Sequence, residues 1–145
     1  MTPIRITSKL SVAGQISATD IPEIRRLGFV AIVNNRPDGE EAGQPAQDEV
    51  GRAATAAGLG YVYLPVTDAT LSAEAALGFG AALDAASGPV LAHCRSGARS
   101  FTLWAIGEVL SGRMSAGELT DLAGRAGCDP SGALNWLATS TAAHP

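Results

Sequence analysis

Short apolar runs of strand length alternate along this chain with longer stretches in which apolar residues recur every three or four positions. Ile4 and Ile6, then Leu10 and Val12, read as two short strands around the polar turn Thr7-Ser8-Lys9. Ser17 or Thr19 can cap a helix that has Pro22 in its first turn. Ile21, Ile24 and Leu27 form its apolar stripe, and Gly28 ends it. Phe29–Val33 is an unbroken apolar run, as expected of a strand covered on both faces, and it delivers Asn34-Asn35-Arg36 to its carboxyl end. Pro37 to Pro45, rich in Gly, Pro and Glu, reads as a surface loop. Good helix formers fill Gln47 to Ala57, and Gly58 suits the cap that follows. Tyr61–Leu64 is a further strand, stopped by Pro65. Val66–Leu71 is a loop, and Ser72 caps a helix over Ala73–Ala86. Gly88-Pro89 then break the pattern before the strand Val90-Leu91-Ala92. Phe101–Ile106 return to helical spacing. The capping box Ser115-x-x-Glu118 and the pair Asp129-Pro130 announce further helices.

Strands alternating with helices predict right-handed crossovers and an α/β fold with a mainly parallel central sheet flanked by helices. Ligands of such sheets sit beyond the carboxyl ends of the strands. Asn34–Arg36, Val66–Asp68 and Cys94–Arg99 all follow strands at that end, so three loops are expected to converge on one crevice.

Composition narrows the picture. A chain of 145 residues fits a single domain, 1–145, large enough to bury about two-thirds of its unfolded surface. A net charge of −4 gives no reason to expect nucleic acid or an anionic membrane as a partner. The two cysteines, Cys94 and Cys128, do not make a disulfide framework. Met1–Arg5 lacks the apolar run of a signal peptide, and no stretch approaches transmembrane length. These features predict a cytoplasmic, reducing location in which a reactive thiol stays available. His93 and His144 lie too far apart in sequence to suggest a zinc site, and no metal or organic cofactor is expected.

The stretch that carries chemistry is His93-Cys94-Arg95-Ser96-Gly97-Ala98-Arg99-Ser100. A strand runs into a tight loop whose exit is the first turn of a helix. Backbone N–H groups there point inward, and the helix start adds partial positive charge, so an anion is favoured. Cys94, at the mouth of that loop, would feel this field and the Arg99 guanidinium. Such surroundings lower a thiol pKa from about 8.5 into roughly 3.5–7.5. The thiolate is the nucleophile, and the planar fork of Arg99 can grip two oxygens of a tetrahedral anion. Two arginines within six residues of one cysteine are hard to explain as packing.

This segment resembles two families. His-Cys followed by a glycine, an arginine and a hydroxyl residue is similar to the phosphate loop of protein tyrosine and dual-specificity phosphatases. Those enzymes place five residues between cysteine and arginine, whereas here four intervene, Arg95, Ser96, Gly97 and Ala98. Cys-Arg-Ser-Gly-Ala-Arg-Ser has instead the length of the active loop of rhodanese-type sulfurtransferases. Outside the loop, Ile6–Gly14, Val30–Arg36, Tyr61–Val66 and Val90–Cys94 follow the order of a dual-specificity phosphatase domain. The whole is similar to the small bacterial beta-lactamase-hydrolase-like, phosphatase-like domain. Members of that group occur alone or fused to a persulfide dioxygenase, and have been described as both phosphatases and sulfurtransferases.

The resemblance implies a Cys94 nucleophile, with Arg99 and the backbone of Arg95–Ser100 binding the anionic end of a substrate. The shorter loop offers one N–H donor fewer to a phosphoryl group in flight, which favours sulfur transfer through a Cys94 persulfide. The substrate would then be a small sulfur-containing anion or persulfide, with a persulfide dioxygenase as a candidate partner. The alternative is a phosphatase acting on a phosphorylated substrate, with Asp68, 26 residues before Cys94, as general acid. A third reading is a non-catalytic anion- or phosphoprotein-binding module. Ser100 either hydrogen-bonds the Cys94 sulfur or is a plain helix-start serine. Asp68 is otherwise a turn residue. Arg95 projects outward, either recruiting anions or simply solvated. Arg36 lines the crevice or pairs with Glu40 or Glu41. His93 ends a buried strand and orients the loop backbone. Cys128 is incidental unless it approaches Cys94.

Overall fold

The apolar run before Asn34 becomes one of five strands in a computed structural model that describes residues 1–143. The strands are β1 (Ile4–Arg5), β2 (Leu10–Ala13), β3 (Ala31–Asn34), β4 (Gly60–Tyr63) and β5 (Val90–His93), arranged in the order β1-β2-β5-β3-β4. Only the β1–β2 pairing is antiparallel; β2, β5, β3 and β4 run parallel. The helices are α1 (Ile21–Arg26), α2 (Gln47–Ala56), α3 (Ala73–Ala85), α4 (Ala98–Leu110), α5 (Ala116–Ala126) and α6 (Ser131–Ala143).

Side chains on a strand alternate between faces, and here each face has its own helices. Ile32 of β3 and Leu91 of β5 pack with Ile21, Ile24, Val50 and Ala54 of α1 and α2. Val33, Val90 and Ala92 point to the opposite face, against Phe79, Phe101, Ile106 and Leu119 of α3, α4 and α5. A continuous apolar run at β3 and β5 is therefore what two covered faces require. At the edge, β4 is only partly buried.

Two local expectations shift. Leu27 is 49% exposed, so the buried stripe of α1 stops at Ile24. Ser17 caps a 3-10 turn, Ala18–Asp20, rather than α1 itself; its side chain and that of Asp20 cap each other reciprocally before α1 begins. The remaining caps follow the sequence. Ser72 Oγ accepts from the Ala75 N–H, and Ser115 and Glu118 close a capping box. His144 lies outside the described residues.

Candidate active site

Strand β5 ends at His93, and after four intervening residues α4 begins at Ala98. The reversal is made at Gly97, whose φ of 97° lies in the left-handed region where a side chain would be strained. This turn aims the Gly97 N–H back at the Cys94 Sγ, 3.0 Å away. The carboxyl end of β2 buttresses the loop: Ala13 O accepts from Cys94 N, and Arg95 O accepts from Gln15 N. A Cβ at Gly14 would stand 3.0 Å from the Arg95 carbonyl oxygen, so a side chain there would press the loop backbone away by a few tenths of an ångström.

Cys94 is 1% exposed. It lies on the floor of the loop and not at its mouth, because its sulfur folds beneath the chain to meet Gly97. Beside this loop, Arg36, Asp68, Arg95, Ser96, Ala98 and Arg99, with Glu40, Glu41 and Thr67, line a crevice of about 630 Å³, and the buried Cys94 is not among its lining residues. The three strand-end loops thus come together there.

Arg99 is held on two sides. Its Nη1 donates to Glu40 Oε2 at 2.8 Å and to Val66 O at 2.9 Å, and its Nη2 donates to Glu40 Oε1 at 2.7 Å. Arg36 both lines the crevice and pairs: its Nε donates to Glu40 Oε1, its Nη2 to Glu41 Oε1 and its Nη1 to Gln15 Oε1. This arginine is buried. Glu40 therefore sits between two guanidinium groups. The hydrogen bond from Arg99 foremost, then Arg36, holds its pKa down at about 2 against the opposing cost of desolvation. The same hydrogen bond raises the Arg99 pKa, so both groups are charged at any working pH.

Ser100 does not reach Cys94. Its hydroxyl donates to Asn35 Oδ1 at 2.8 Å, and both residues are fully buried. Asn35 in turn ties the loops together, donating its backbone N–H to His93 O and its Nδ2 hydrogen to Leu64 O. Asp68 opens a 3-10 turn, Asp68–Thr70, that Thr67 and Thr70 hold by reciprocal capping, and its exposed side chain borders the crevice. The Arg95 side chain is 69% exposed, its guanidinium 3.8 Å from Glu41. Cys128 is a free thiol lining a separate pocket of about 170 Å³ with Ser96, Gly97, Ala98 and Phe101, and burial pushes its pKa up.

His93 is fully buried, and neither ring nitrogen makes a hydrogen bond of ordinary geometry. Burial pushes its pKa down to about 4, reinforced by the charge of Arg36 and opposed by the Cys94 backbone. The ring is neutral at pH 7. Between an unfolded value near 6.5 and the folded value of about 4, the unfolded chain binds a proton that the folded chain refuses. Stability should therefore fall as pH drops through that window. Denaturant titrations at a series of pH values should show the slope, and His93→Asn should flatten it.

The Glu40–Arg36 pair was among the expectations; the grip of Glu40 on Arg99 and the roles of Asn35 and Gln15 were not. The available signal was a pair of polar residues, Asn34-Asn35, directly after a buried strand, where an unpartnered amide would be costly.

Residues 4–111 match the family described as the beta-lactamase hydrolase-like protein, phosphatase-like domain. The chain belongs to that family. A beta-lactamase hydrolase-like protein of Agrobacterium fabrum is 39% identical over the whole chain, and one of Xylella fastidiosa is 37% identical over 92% of it. The chain covers 34% and 31% of those proteins, about a third of their length. A candidate phosphatase of Neisseria meningitidis superposes with a TM-score of 0.77 at 31% identity, over 87% of this chain and 89% of that one. TpbA of P. aeruginosa, solved in complex with phosphotyrosine, shares the fold with a TM-score of 0.62 at 19% identity, over 83% of this chain and 70% of that one. The phosphatase-like domain thus has the α/β, tyrosine-phosphatase-type fold expected from its sequence. No helix among the described residues is long and apolar enough to cross a membrane.

Proposed function

We propose that this domain is a cysteine-dependent enzyme in which Cys94 attacks the outer atom of a small donor whose anionic end is held by Arg99 and the loop N–H groups. Sulfur transfer is the reaction that the loop fits best. The observation that carries this is the six-residue span from Cys94 to Arg99, closed so tightly that the Gly97 N–H rests on the sulfur. That N–H stabilises a thiolate and, after transfer, the inner sulfur of a persulfide. A phosphoryl group needs its equatorial oxygens cradled in line, a wider ring of donors than four intervening residues supply. The Ser100 hydroxyl, engaged with Asn35, is also not turned to help expel a cysteine leaving group.

In the sulfur reaction, Cys94–S⁻ attacks the sulfane sulfur of R–S–SH, the donor S–S bond breaks, and RS⁻ leaves, giving Cys94–S–SH. The persulfide passes its outer sulfur to an acceptor thiol, cyanide or sulfite. No proton need be supplied to the leaving thiolate. A persulfide-oxidising domain or enzyme is the natural consumer of such a product, and the greater length of the relatives leaves room for one.

The second reading is a phosphatase, and the comparisons lean toward it through the phosphatase-like description of the family and the Neisseria structure. Asp68 favours it too, since its carboxyl borders the same crevice as Arg99 and can protonate a leaving alkoxide. There, Cys94–S⁻ displaces the alkoxide from a phosphate monoester, Asp68 gives up its proton, and a phosphocysteine remains for hydrolysis.

One preparation separates the readings. Incubation with thiosulfate or an alkyl persulfide should add one sulfur atom to the intact mass, and an acceptor thiol should remove it. Turnover of an aryl phosphate that collapses in Asp68→Asn, with no sulfur gained, would establish the phosphatase instead. Oxyanion binding with neither reaction leaves a binding module.

A further inference from the structure

The crevice expected to draw anions is not electropositive. Its charged lining consists of Arg36, Arg95 and Arg99 against Glu40, Glu41 and Asp68, a formal sum of zero. An ionised Cys94, close enough for its charge to act on Arg99, would make the sum negative by one. The guanidinium of Arg99 is also partly spent. Of its five N–H donors, both on Nη1 and one on Nη2 are given to Glu40 and Val66 O. Nε and the second Nη2 hydrogen remain, and these lie together on one edge of the planar group. One oxyanion contact of two hydrogen bonds is therefore available, without the unbalanced positive charge that a multiply charged group requires.

From this juxtaposition we propose that Glu40, assisted by Glu41, determines donor specificity by cancelling the charge of the arginine clamp, so that an organic persulfide, whose reacting end carries at most one negative charge, is preferred over the dianion thiosulfate. This rests on the sulfur-transfer reading and selects the donor class within it. Glu40 acts through Arg99 and through its own field; it is a positioning and specificity residue and does not touch the reacting sulfur. Thiosulfate would bring two negative charges to a crevice whose charged side chains already sum to zero, whereas an alkyl persulfide brings at most one. The sulfur step balances for either donor. With thiosulfate, Cys94–S⁻ takes the outer sulfur to give Cys94–S–S⁻, and the S–S electron pair leaves with sulfite. The difference lies in the electrostatic work of approach. Like charges a few ångströms apart in a partly exposed cleft repel by enough to change kcat/KM about tenfold after screening.

The test compares kcat/KM for thiosulfate and for an alkyl persulfide bearing no other charge, in the wild-type chain, Glu40→Gln and Glu40→Asp, at low and at moderate ionic strength. The wild type should prefer the persulfide. Glu40→Gln should raise the thiosulfate-to-persulfide ratio about tenfold, mainly through the KM for thiosulfate. Glu40→Asp should restore the wild-type ratio, and added salt should narrow the gap between wild type and Glu40→Gln. If Glu40→Gln proves unfolded by its melting curve, Glu41→Gln removes the same charge from a half-exposed side chain. It should move the ratio in the same direction by a smaller factor. A wild type that prefers thiosulfate overturns the proposal. So does a ratio unchanged in the variants, or a parallel loss with both donors, which is the mark of a merely structural role. Failure of the wild type to accept sulfur from either donor is a different result: it overturns the sulfur-transfer reading itself and takes the specificity proposal with it.

Discussion

Cys94→Ser will abolish sulfur loading and turnover, with a loss of roughly four orders of magnitude or more if the cost of deleting a nucleophile in hydrolases is the guide. The fold should survive. A serine hydroxyl is smaller than the thiol and can still accept the Gly97 N–H that now reaches Sγ at 3.0 Å. It remains protonated at neutral pH, however, and no base in the crevice lies in a position shown to remove its proton. The sulfur-gaining mass shift with thiosulfate or persulfide should therefore vanish while the melting temperature stays close to that of the parent. Retention of the mass shift would locate the nucleophile elsewhere, and Cys128 would be the first suspect. That outcome is disfavoured because burial raises the Cys128 pKa and keeps it a thiol.

Arg99→Ala will lower kcat/KM about 10²- to 10³-fold, the range expected when a fixed donor to a developing or bound anion is removed. The loss has two parts. The substrate loses the one guanidinium edge left open to it, and Glu40 loses the partner chiefly responsible for its low pKa. Its carboxylate then hangs in the crevice as an added repulsion, held by Arg36 alone. Arg99→Lys should recover only part of the activity, because a point charge cannot serve Glu40 and an oxyanion through a planar fork. Combining Arg99→Ala with Glu40→Gln should recover some of the loss by removing the orphaned charge, a non-additivity measurable in a double-mutant cycle. Stability should fall only modestly in any of these, since Arg36 still pairs with Glu40 when Arg99 is lost. A fall in melting temperature that parallels the fall in activity would instead mark Arg99 as structural.

The comparisons place the chain in a phosphatase-like family, and the loop is where this member's chemistry must be sought. A fold shared at 19% identity with a protein solved with phosphotyrosine shows the architecture and not the atom transferred. Loop length, the engagement of Ser100 and the charge balance around Arg99 are the features that bear on that choice.

Much of this was legible residue by residue. The period-two and continuous apolar patterns were enough for β2, β3 and β5, because strands covered on both faces are apolar at most positions, the buried Ser11, Asn34 and His93 being the exceptions. Caps at Ser72 and Ser115 were legible because a cap is a contact between residues three apart. The crevice was legible in outline, since Arg36, Asp68 and Arg99 all follow parallel strands.

What the tertiary structure alone decided was which polar atom meets which. Arg99 finds Glu40 across 59 residues of chain, and Ser100 finds Asn35 across 65. Those pairings depend on β5 lying between β2 and β3, an order that no local pattern encodes. The depth of Cys94 was decided in the same way, by Gly97 turning under the strand and by Ala13 and Gly14 closing from the side. Local periodicity is written in a few neighbouring residues. The partner of a charged side chain is set by strand order and register, and these emerge only when the whole sheet is assembled.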